Sequence, residues 1–300
     1  MTAMARRAGA GLALLLVAGC AAVPHAPPEP EAAPAERAPE PPVRPGFSFE
    51  GAITQGGMVI GTAPSHTRAL ALDGRPIALD ADDRFVIAFD RDGKAEAQLV
   101  ATLANGRTVS ERLVVAARAW QVERVDVALR AGTPSAEFER IRAPEVARIT
   151  AARAVMAHSE GWRQRFLWPA TGRISGVFGS QRIYRGQPGA YHSGVDIAGA
   201  TGTPIVAPAD GVVVLATEKP FTLEGNLLIV DHGMGLNSAF LHLSRIDVRE
   251  GQQVRRGQTI GAIGATGRST GPHLHWALKW RDARIDPQLL AGAMERAGGN

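Results

Sequence analysis

Apolar and polar residues alternate over short stretches between residues 47 and 129. The alternating stretches are 58–63, 68–79, 84–90, 95–103 and 107–116. Turn-forming pairs separate several of them, namely Asp73-Gly74, Asp92-Gly93 and Asn105-Gly106. Alternation with a period of two predicts half-buried strands, and Asp or Asn followed by Gly is typical of tight hairpins. We therefore predict a small, Ig-like β-sandwich domain over residues 46–130.

A second region of short apolar stretches and frequent glycines runs from residue 166 to about residue 290. Its predicted strands are 212–217, 226–233, 237–244, 259–267 and 272–280. The charged segment 137–165 has helical spacing, and Pro144 is expected to break this run or to start a new helix. The chain is thus predicted to be mainly β, with a helical connector at 131–165, a C-terminal β domain at 166–290 and a flexible tail at 291–300.

The first 45 residues have the pattern of an export signal followed by a tether. A basic start (1–7) precedes an apolar run (12–18), and Val17-Ala18-Gly19-Cys20 places small residues before the single cysteine. This order predicts a lipoprotein signal peptide at 1–19 and a lipid anchor on Cys20, because the tetrapeptide resembles a lipobox. An ordinary signal peptide with an incidental cysteine is the alternative. Proline recurs through 20–45, which predicts an extended tether.

Composition and charge limit the classes of partner. The 300 residues carry 33 basic and 29 acidic side chains, a net charge of +4, and the sequence pI is about 9.8. A mildly basic surface suits a cell-wall polymer or an anionic lipid surface. The sequence has no nucleic-acid-binding motif and no basic stretch interleaved with aromatics, so we predict no nucleic-acid partner. A single cysteine excludes an intramolecular disulfide and a cysteine-rich zinc site.

Five of the eight histidines lie between residues 192 and 275. His192 and Asp196 form an H-x-x-x-D motif, and His273 and His275 flank one leucine. Because side chains alternate along a strand, His273 and His275 are expected to share one face. Two imidazoles and one carboxylate make a three-ligand set for zinc, with a fourth position left to water. His232 lies in an Asp-His-Gly turn and is interpreted as structural.

His242 is the third member of the predicted histidine cluster. Alternation along its strand predicts that it shares one face with Phe240 and Ser244. Leu241 and Leu243 then lie on the opposite, apolar face. Three imidazoles are therefore expected to share one groove that is backed by leucines.

Several motifs in a fixed order make the region 168–290 similar to a known family, the lysostaphin/LytM-type zinc metallopeptidases. Besides H-x-x-x-D, these motifs are T-G-T-P-I-V-A-P-A-D-G-V-V at 201–213, F-L-H-L around His242, and G-x-S-T-G-P-H-L-H at 267–275. The resemblance implies a mostly antiparallel β fold with a long groove over a zinc ion. It also implies that the substrate is the peptide part of bacterial peptidoglycan.

The same resemblance implies a role for each polar residue of the cluster. Carried onto this sequence, the zinc ligands are His192, Asp196 and His275. The catalytic residues, which act on the attacking water and on the developing oxyanion, are His273 and His242. A tyrosine upstream of the first ligand assists in some members of the family, and Tyr184 is the candidate for that position.

We accordingly predict a zinc-dependent endopeptidase that cuts peptidoglycan stem peptides or cross-links. The lipid anchor predicts a membrane location facing the periplasm or cell wall, with the outer membrane favoured. The alternative is a non-catalytic relative that activates cell-wall amidases or binds a division protein, although such proteins usually lack metal ligands. Two imidazoles and a carboxylate also describe a non-haem iron oxygenase. We further hypothesise that segment 137–165 regulates access to the groove.

Overall fold

The computed structural model describes residues 43–128 and 135–294, which belong to one unit that begins at Val43. The predicted signal peptide 1–19, Cys20 and most of the predicted tether lie outside the described residues. Within the described ranges, no helix combines the length and the apolar character that a bilayer span requires.

The N-terminal part consists of two antiparallel sheets. Its strands are β1 Ser48–Gly51, β2 Met58–Thr62, β3 Thr67–Leu72, β4 Arg75–Ile77, β5 Arg84–Ala88, β6 Glu96–Leu103 and β7 Thr108–Val114. One sheet has the order β1-β2-β5 and the other β4-β3-β6-β7. Alternate side chains of these strands enter the core, as in β6, where Leu99 is fully buried between exposed Gln98 and half-buried Val100. The mainly β prediction is confirmed, and the Ig-like architecture stays a prediction.

The C-terminal part is built on one eight-stranded sheet. The strands that follow β7 are β8 Val122–Val125, β9 Ile174–Gly176, β10 Gln181–Tyr184, β11 Gln187–Pro188, β12 Val195–Ala198, β13 Pro204–Val206, β14 Gly211–Ala216, β15 Asn226–Asp231, β16 Leu236–Leu243, β17 Arg245–Ile246, β18 Gln253–Val254, β19 Thr259–Ala262, β20 His273–Trp280 and β21 Ala283–Ile285. The large sheet has the order β18-β14-β15-β16-β20-β12-β9, with β21 beside β20. A small sheet β13-β19-β17 and another, β11-β10-β8, complete this part; β8 runs parallel to β10. A short helix, α2 Pro287–Ala291, follows β21.

The helical connector is one helix, α1 Ala136–Ala154. The hydroxyl of Ser135 caps its start by accepting a hydrogen bond from the Phe138 amide at 3.1 Å. The expectation that Pro144 breaks this segment is wrong, because the helix continues through it. Pro144 lies on the exposed side, where water can satisfy the one carbonyl that loses its partner. Beyond residue 154 the connector contains only a single 3₁₀ turn, Gly161–Arg163.

The two faces of the large sheet have different neighbours. The face toward the main core carries Leu228, Val230, Phe240, Leu274 and Trp276. The other face carries a smaller apolar cluster with α1, made of Ala152, Leu215, Phe221, Leu227, Ile229 and Ala239. His273 and His275 alternate with Leu274 and Trp276, so they lie on the same face as α1. Whether α1 regulates access to that face stays a hypothesis.

Candidate metal centre

Three polar side chains converge where β12 and β20 pair. Asp196 on β12 lies directly opposite His275 on β20, and His192 precedes β12 by three residues. The Asp196 Oδ1 atom is 2.8 Å from His275 Nδ1 and 3.1 Å from His192 Nε2. The two imidazole nitrogens are 3.1 Å from each other. One atom of each residue therefore faces a common point.

Hydrogen bonds and burial set the protonation of this cluster. His192 donates from Nδ1 to the Val177 carbonyl at 3.1 Å, which directs its Nε2 toward Asp196. Burial raises the pKa of Asp196, but hydrogen bonds from His192 and His275 outweigh it and hold that pKa well below its ordinary value. Burial is the main cause of a lowered pKa at His275. An ionised carboxylate and a neutral His275 are the forms in which these groups bind metals.

The donor set fits a zinc ion. Zinc binds imidazole nitrogen and carboxylate oxygen at about 2.0–2.2 Å, and tetrahedral geometry then separates neighbouring donors by about 3.3–3.6 Å. The three donor atoms lie 2.8–3.1 Å apart, so a small outward shift opens the space that the ion needs. Among the described residues, these three side chains each offer one ligand atom, and the three atoms lie close enough together to share one metal ion. The assignment of these three residues as ligands stays a prediction.

Two further imidazoles lie beside the cluster. His273 donates from Nδ1 to the Gly271 carbonyl at 2.8 Å, and its Nε2 is 3.7 Å from Asp196 Oδ1. His242 donates from Nδ1 to the Thr266 carbonyl at 2.9 Å, and its ring centroid lies 4.9 Å from that of His273. Burial lowers the pKa of His242. Among the described residues neither Nε2 has a hydrogen-bond partner, so each can accept a proton and then donate to a substrate oxygen.

His242 reaches the cluster by a route that strand alternation does not predict. Phe240 and Leu243 lie in the main core, and Leu241 faces the other side with the apolar cluster. His242 has φ +64°, and the register between β15 and β16 shifts at this point. The extra residue of this β-bulge turns the imidazole toward the cluster. The predicted face shared by His242 and Phe240 is therefore wrong, although the three imidazoles do come together.

An open groove of about 1190 Å³ runs over the cluster. His192 and Asp196 line its floor, and Tyr184 on β10 belongs to its wall. Arg268 and Thr270, from the loop before β20, line it as well. Residues 121–123, at the start of β8, also line the groove; sequence reasoning missed them because this short segment carries no alternation and no motif.

His232 is buried apart from the cluster. Its Nδ1 donates to the Asp210 carbonyl at 2.7 Å, and its Nε2 accepts from the Ser238 hydroxyl at 2.7 Å. Burial lowers its pKa to about 4. A neutral ring with both nitrogens bonded inside the core has a structural role.

The fold and the site together define a class: mainly β proteins in which a His-Asp-His cluster of metal-binding geometry lies on the floor of an open groove. Residues 190–287 match Peptidase family M23, and the chain belongs to this family. A crystal structure of a Pseudomonas aeruginosa protein described as a peptidase M23 superposes with a TM-score of 0.62 at 30% identity, covering 81% of this chain and 96% of that one. The LytM-type resemblance is thereby confirmed.

Curated relatives match about two fifths of the chain. The peptidoglycan DD-endopeptidase ShyA of Vibrio cholerae is 43% identical over 116 residues, which are 38% of this chain and 26% of the relative. The lipoprotein NlpD/LppB homolog of Pseudomonas aeruginosa is 37% identical over 127 residues, which are 42% of this chain and 38% of the relative. The chain thus spans well under half the length of these relatives.

Proposed function

We propose that the protein is a zinc-dependent endopeptidase that hydrolyses peptide bonds of bacterial peptidoglycan. The observation that carries the proposal is the convergence of His192, Asp196 and His275 on one point at the floor of an open groove. Two more imidazoles with free Nε2 atoms stand beside them, which provides acid–base groups next to a metal site.

His192, Asp196 and His275 would hold a zinc ion, which would supply Lewis-acid polarisation of a carbonyl and make water a better nucleophile. His273 is assigned as the general base, because its Nδ1 is committed to the Gly271 carbonyl and its Nε2 can accept a proton near Asp196. His242, once its Nε2 carries a proton, is assigned to donate a hydrogen bond to the carbonyl oxygen as that oxygen gains negative charge. Its Nδ1 bond to Thr266 fixes the ring for this task. Tyr184, on the groove wall, is assigned as a helper for the same oxygen.

The substrate proposal rests on the relatives and on the groove. One relative is named a peptidoglycan DD-endopeptidase. An open groove admits an extended peptide stem that is attached to a larger polymer. A lipid anchor on Cys20 and a proline-rich tether favour action on cross-links from the outer membrane, with the protein facing the periplasm.

A non-catalytic protein that activates cell-wall amidases is the second candidate. The match to a relative named as a lipoprotein NlpD/LppB homolog, together with the lipobox-like segment at Cys20, favours an envelope lipoprotein without requiring catalysis. The filled His-Asp-His cluster favours the peptidase.

Zinc content and cell-wall digestion test the proposal together. The chain from residue 21 to residue 300 is purified, its zinc is quantified, and peptidoglycan is digested with and without a chelator. We expect one zinc per chain and chelator-sensitive release of peptide fragments. We expect His275→Ala to lose both zinc and activity, His273→Ala to lose activity and keep zinc, and the exposed His158→Ala to retain both. Zinc without cleavage would favour the amidase-activating function, and absence of zinc would refute the site assignment.

A further inference from the structure

Arg91, in the N-terminal part, buries its charge against the loop that carries His192. It is 5% exposed, although arginine is rarely buried without a specific partner. Its guanidinium carbon lies 4.8 Å from the ring centroid of Tyr191 and 5.2 Å from that of Trp120. Tyr191 directly precedes His192 in the chain, so this cation–π contact acts next to a proposed metal ligand.

Hydrogen bonds connect the same guanidinium to the turn that holds His192. Arg91 donates from Nε to the Gly179 carbonyl at 3.0 Å and from Nη2 to Gln181 Oε1 at 3.0 Å. The Gly179 amide donates to the His192 carbonyl, and the His192 amide donates to the Ser180 carbonyl, both at 2.8 Å. Gly179 has φ +80°, a conformation that glycine adopts without strain. Arg91 therefore contacts Gly179, which makes one of the two backbone hydrogen bonds of His192. It also contacts Gln181, the neighbour of Ser180, which makes the other.

The neighbouring Asp90 holds the other side of Tyr191. The Tyr191 hydroxyl donates to Asp90 Oδ1 at 3.0 Å and accepts a hydrogen bond from Arg284 Nη1 at 3.1 Å. The Arg284 amide donates to Asp90 Oδ2 at 3.0 Å, which ties this carboxylate to β21. Two consecutive residues in the segment that follows β5 thus fix the ring and the backbone immediately before His192.

We propose that Arg91 is a positioning residue of the metal centre, acting through the turn 177–181 on the orientation of His192. The same turn supplies the Val177 carbonyl that accepts from His192 Nδ1, so it holds the residue at its backbone and at its ring. Outer contacts that orient a metal ligand typically change metal affinity by about 10- to 100-fold when they are lost. The inference rests on the proposed metal centre and makes the N-terminal part a component of that centre.

Metal affinity of folded protein is the readout that tests this role. Apo protein of residues 21–300 is titrated with Co²⁺, followed by its visible absorption, and with Zn²⁺ in competition with a chromophoric chelator. The variants are Arg91→Gln, which removes the positive charge and the planar guanidinium group, and Arg91→Lys, which keeps the charge without the guanidinium group. Leu99→Ala serves as the matched control, because it weakens the core of the same part from β6, which pairs with β3 and β7.

We expect Arg91→Gln to weaken the metal Kd by about 10- to 100-fold, with an altered Co²⁺ spectrum, and Arg91→Lys to lie between it and wild type. Leu99→Ala is expected to lower the melting temperature and leave the Kd within about twofold. Equal Kd values for Arg91→Gln and wild type would overturn the inference, as would an equal loss in Leu99→Ala.

Two further outcomes are decided by the same design. If Arg91→Gln does not fold, Arg91→Lys replaces it; loss of the hydrogen bonds to Gly179 and Gln181 is expected to weaken the Kd by about fivefold, and an unchanged Kd overturns the inference. Wild-type protein that binds metal without cleaving peptidoglycan refutes the proposed activity and leaves the Arg91 effect measurable. Wild-type protein that binds no metal overturns both.

Discussion

A methyl group placed on Gly176 should damage the metal centre from the neighbouring strand. Gly176 on β9 pairs directly with Asp196 on β12. A Cβ atom at this position would overlap with Asp196 Oδ2 and would lie 2.9 Å from Cγ of the same residue. It would also lie 3.1 Å from Cε1 of His192. The substitution Gly176→Ala therefore forces the carboxylate away from the point on which the three donors converge.

The size of the effect follows from the cost of this overlap. In the metal-free protein the carboxylate can turn aside, whereas metal binding requires it to return against the methyl group. Overpacking of this kind costs about 1–3 kcal/mol, which weakens the metal Kd by about 5- to 150-fold. Folding is affected less, because alanine reduces the entropy of the unfolded chain by about 0.4–1 kcal/mol relative to glycine.

Competition titration with zinc and thermal unfolding of the metal-free protein together measure both effects. Gly46→Ala is the matched control, since a Cβ there meets nothing within 4 Å. We expect Gly46→Ala to bind zinc as wild type does. A Gly176→Ala protein that folds normally and binds zinc with the wild-type Kd would show that Asp196 is not a ligand in this geometry.

Two further predictions concern stability. The pKa of His232 is lowered to about 4, so between about pH 6.5 and pH 4 the unfolded chain takes up a proton that the folded protein does not. The free energy of unfolding should therefore decrease by on the order of 3 kcal/mol as the pH is lowered through this window. Urea unfolding at several pH values should show a shallower fall in His232→Gln, and equal slopes would contradict the assignment. Arg142 donates to both carboxylate oxygens of Glu224, at 2.6 and 2.7 Å, so Arg142→Gln should lower the free energy of unfolding by about 1.5–3 kcal/mol, with partial recovery in the double variant with Glu224→Gln. If the loss in the double variant equals the sum of the losses in Arg142→Gln and Glu224→Gln, the pair is not coupled.

The longer strands could be predicted from the sequence because they are amphipathic within a layered fold. The predicted stretch 95–103 corresponds to Glu96–Leu103, and 272–280 corresponds to His273–Trp280. Alternation also placed His273 and His275 on one face, which the burial pattern of β20 confirms. These elements alternate because one face of each contacts the core, and that requirement is visible in the sequence itself.

The rest of the site depends on features that leave no such trace. The bulge at His242 arises from the pairing of β15 with β16, and the sequence of either strand alone does not predict it. The strand β8 is short and largely exposed, and it pairs in parallel with β10, which lies far along the chain. Arg91 has an ordinary sequence context, and its burial depends on aromatic rings from two distant segments. The bulge, the position of β8 and the burial of Arg91 all depend on contacts between residues that are distant in the sequence.

The region that matches the family contains the three proposed ligands but only part of the groove. The three proposed ligands lie within the region 190–287 that matches Peptidase family M23. The carbonyl of Val177 that orients His192, the tyrosine at 184 and the groove residues 121–123 all precede that region. The donors of the proposed metal centre therefore lie inside the region that matches the family model, whereas much of the groove wall lies in segments that precede it. If the proposed endopeptidase activity holds, the choice among peptide cross-links is therefore expected to depend on contacts made by those preceding segments.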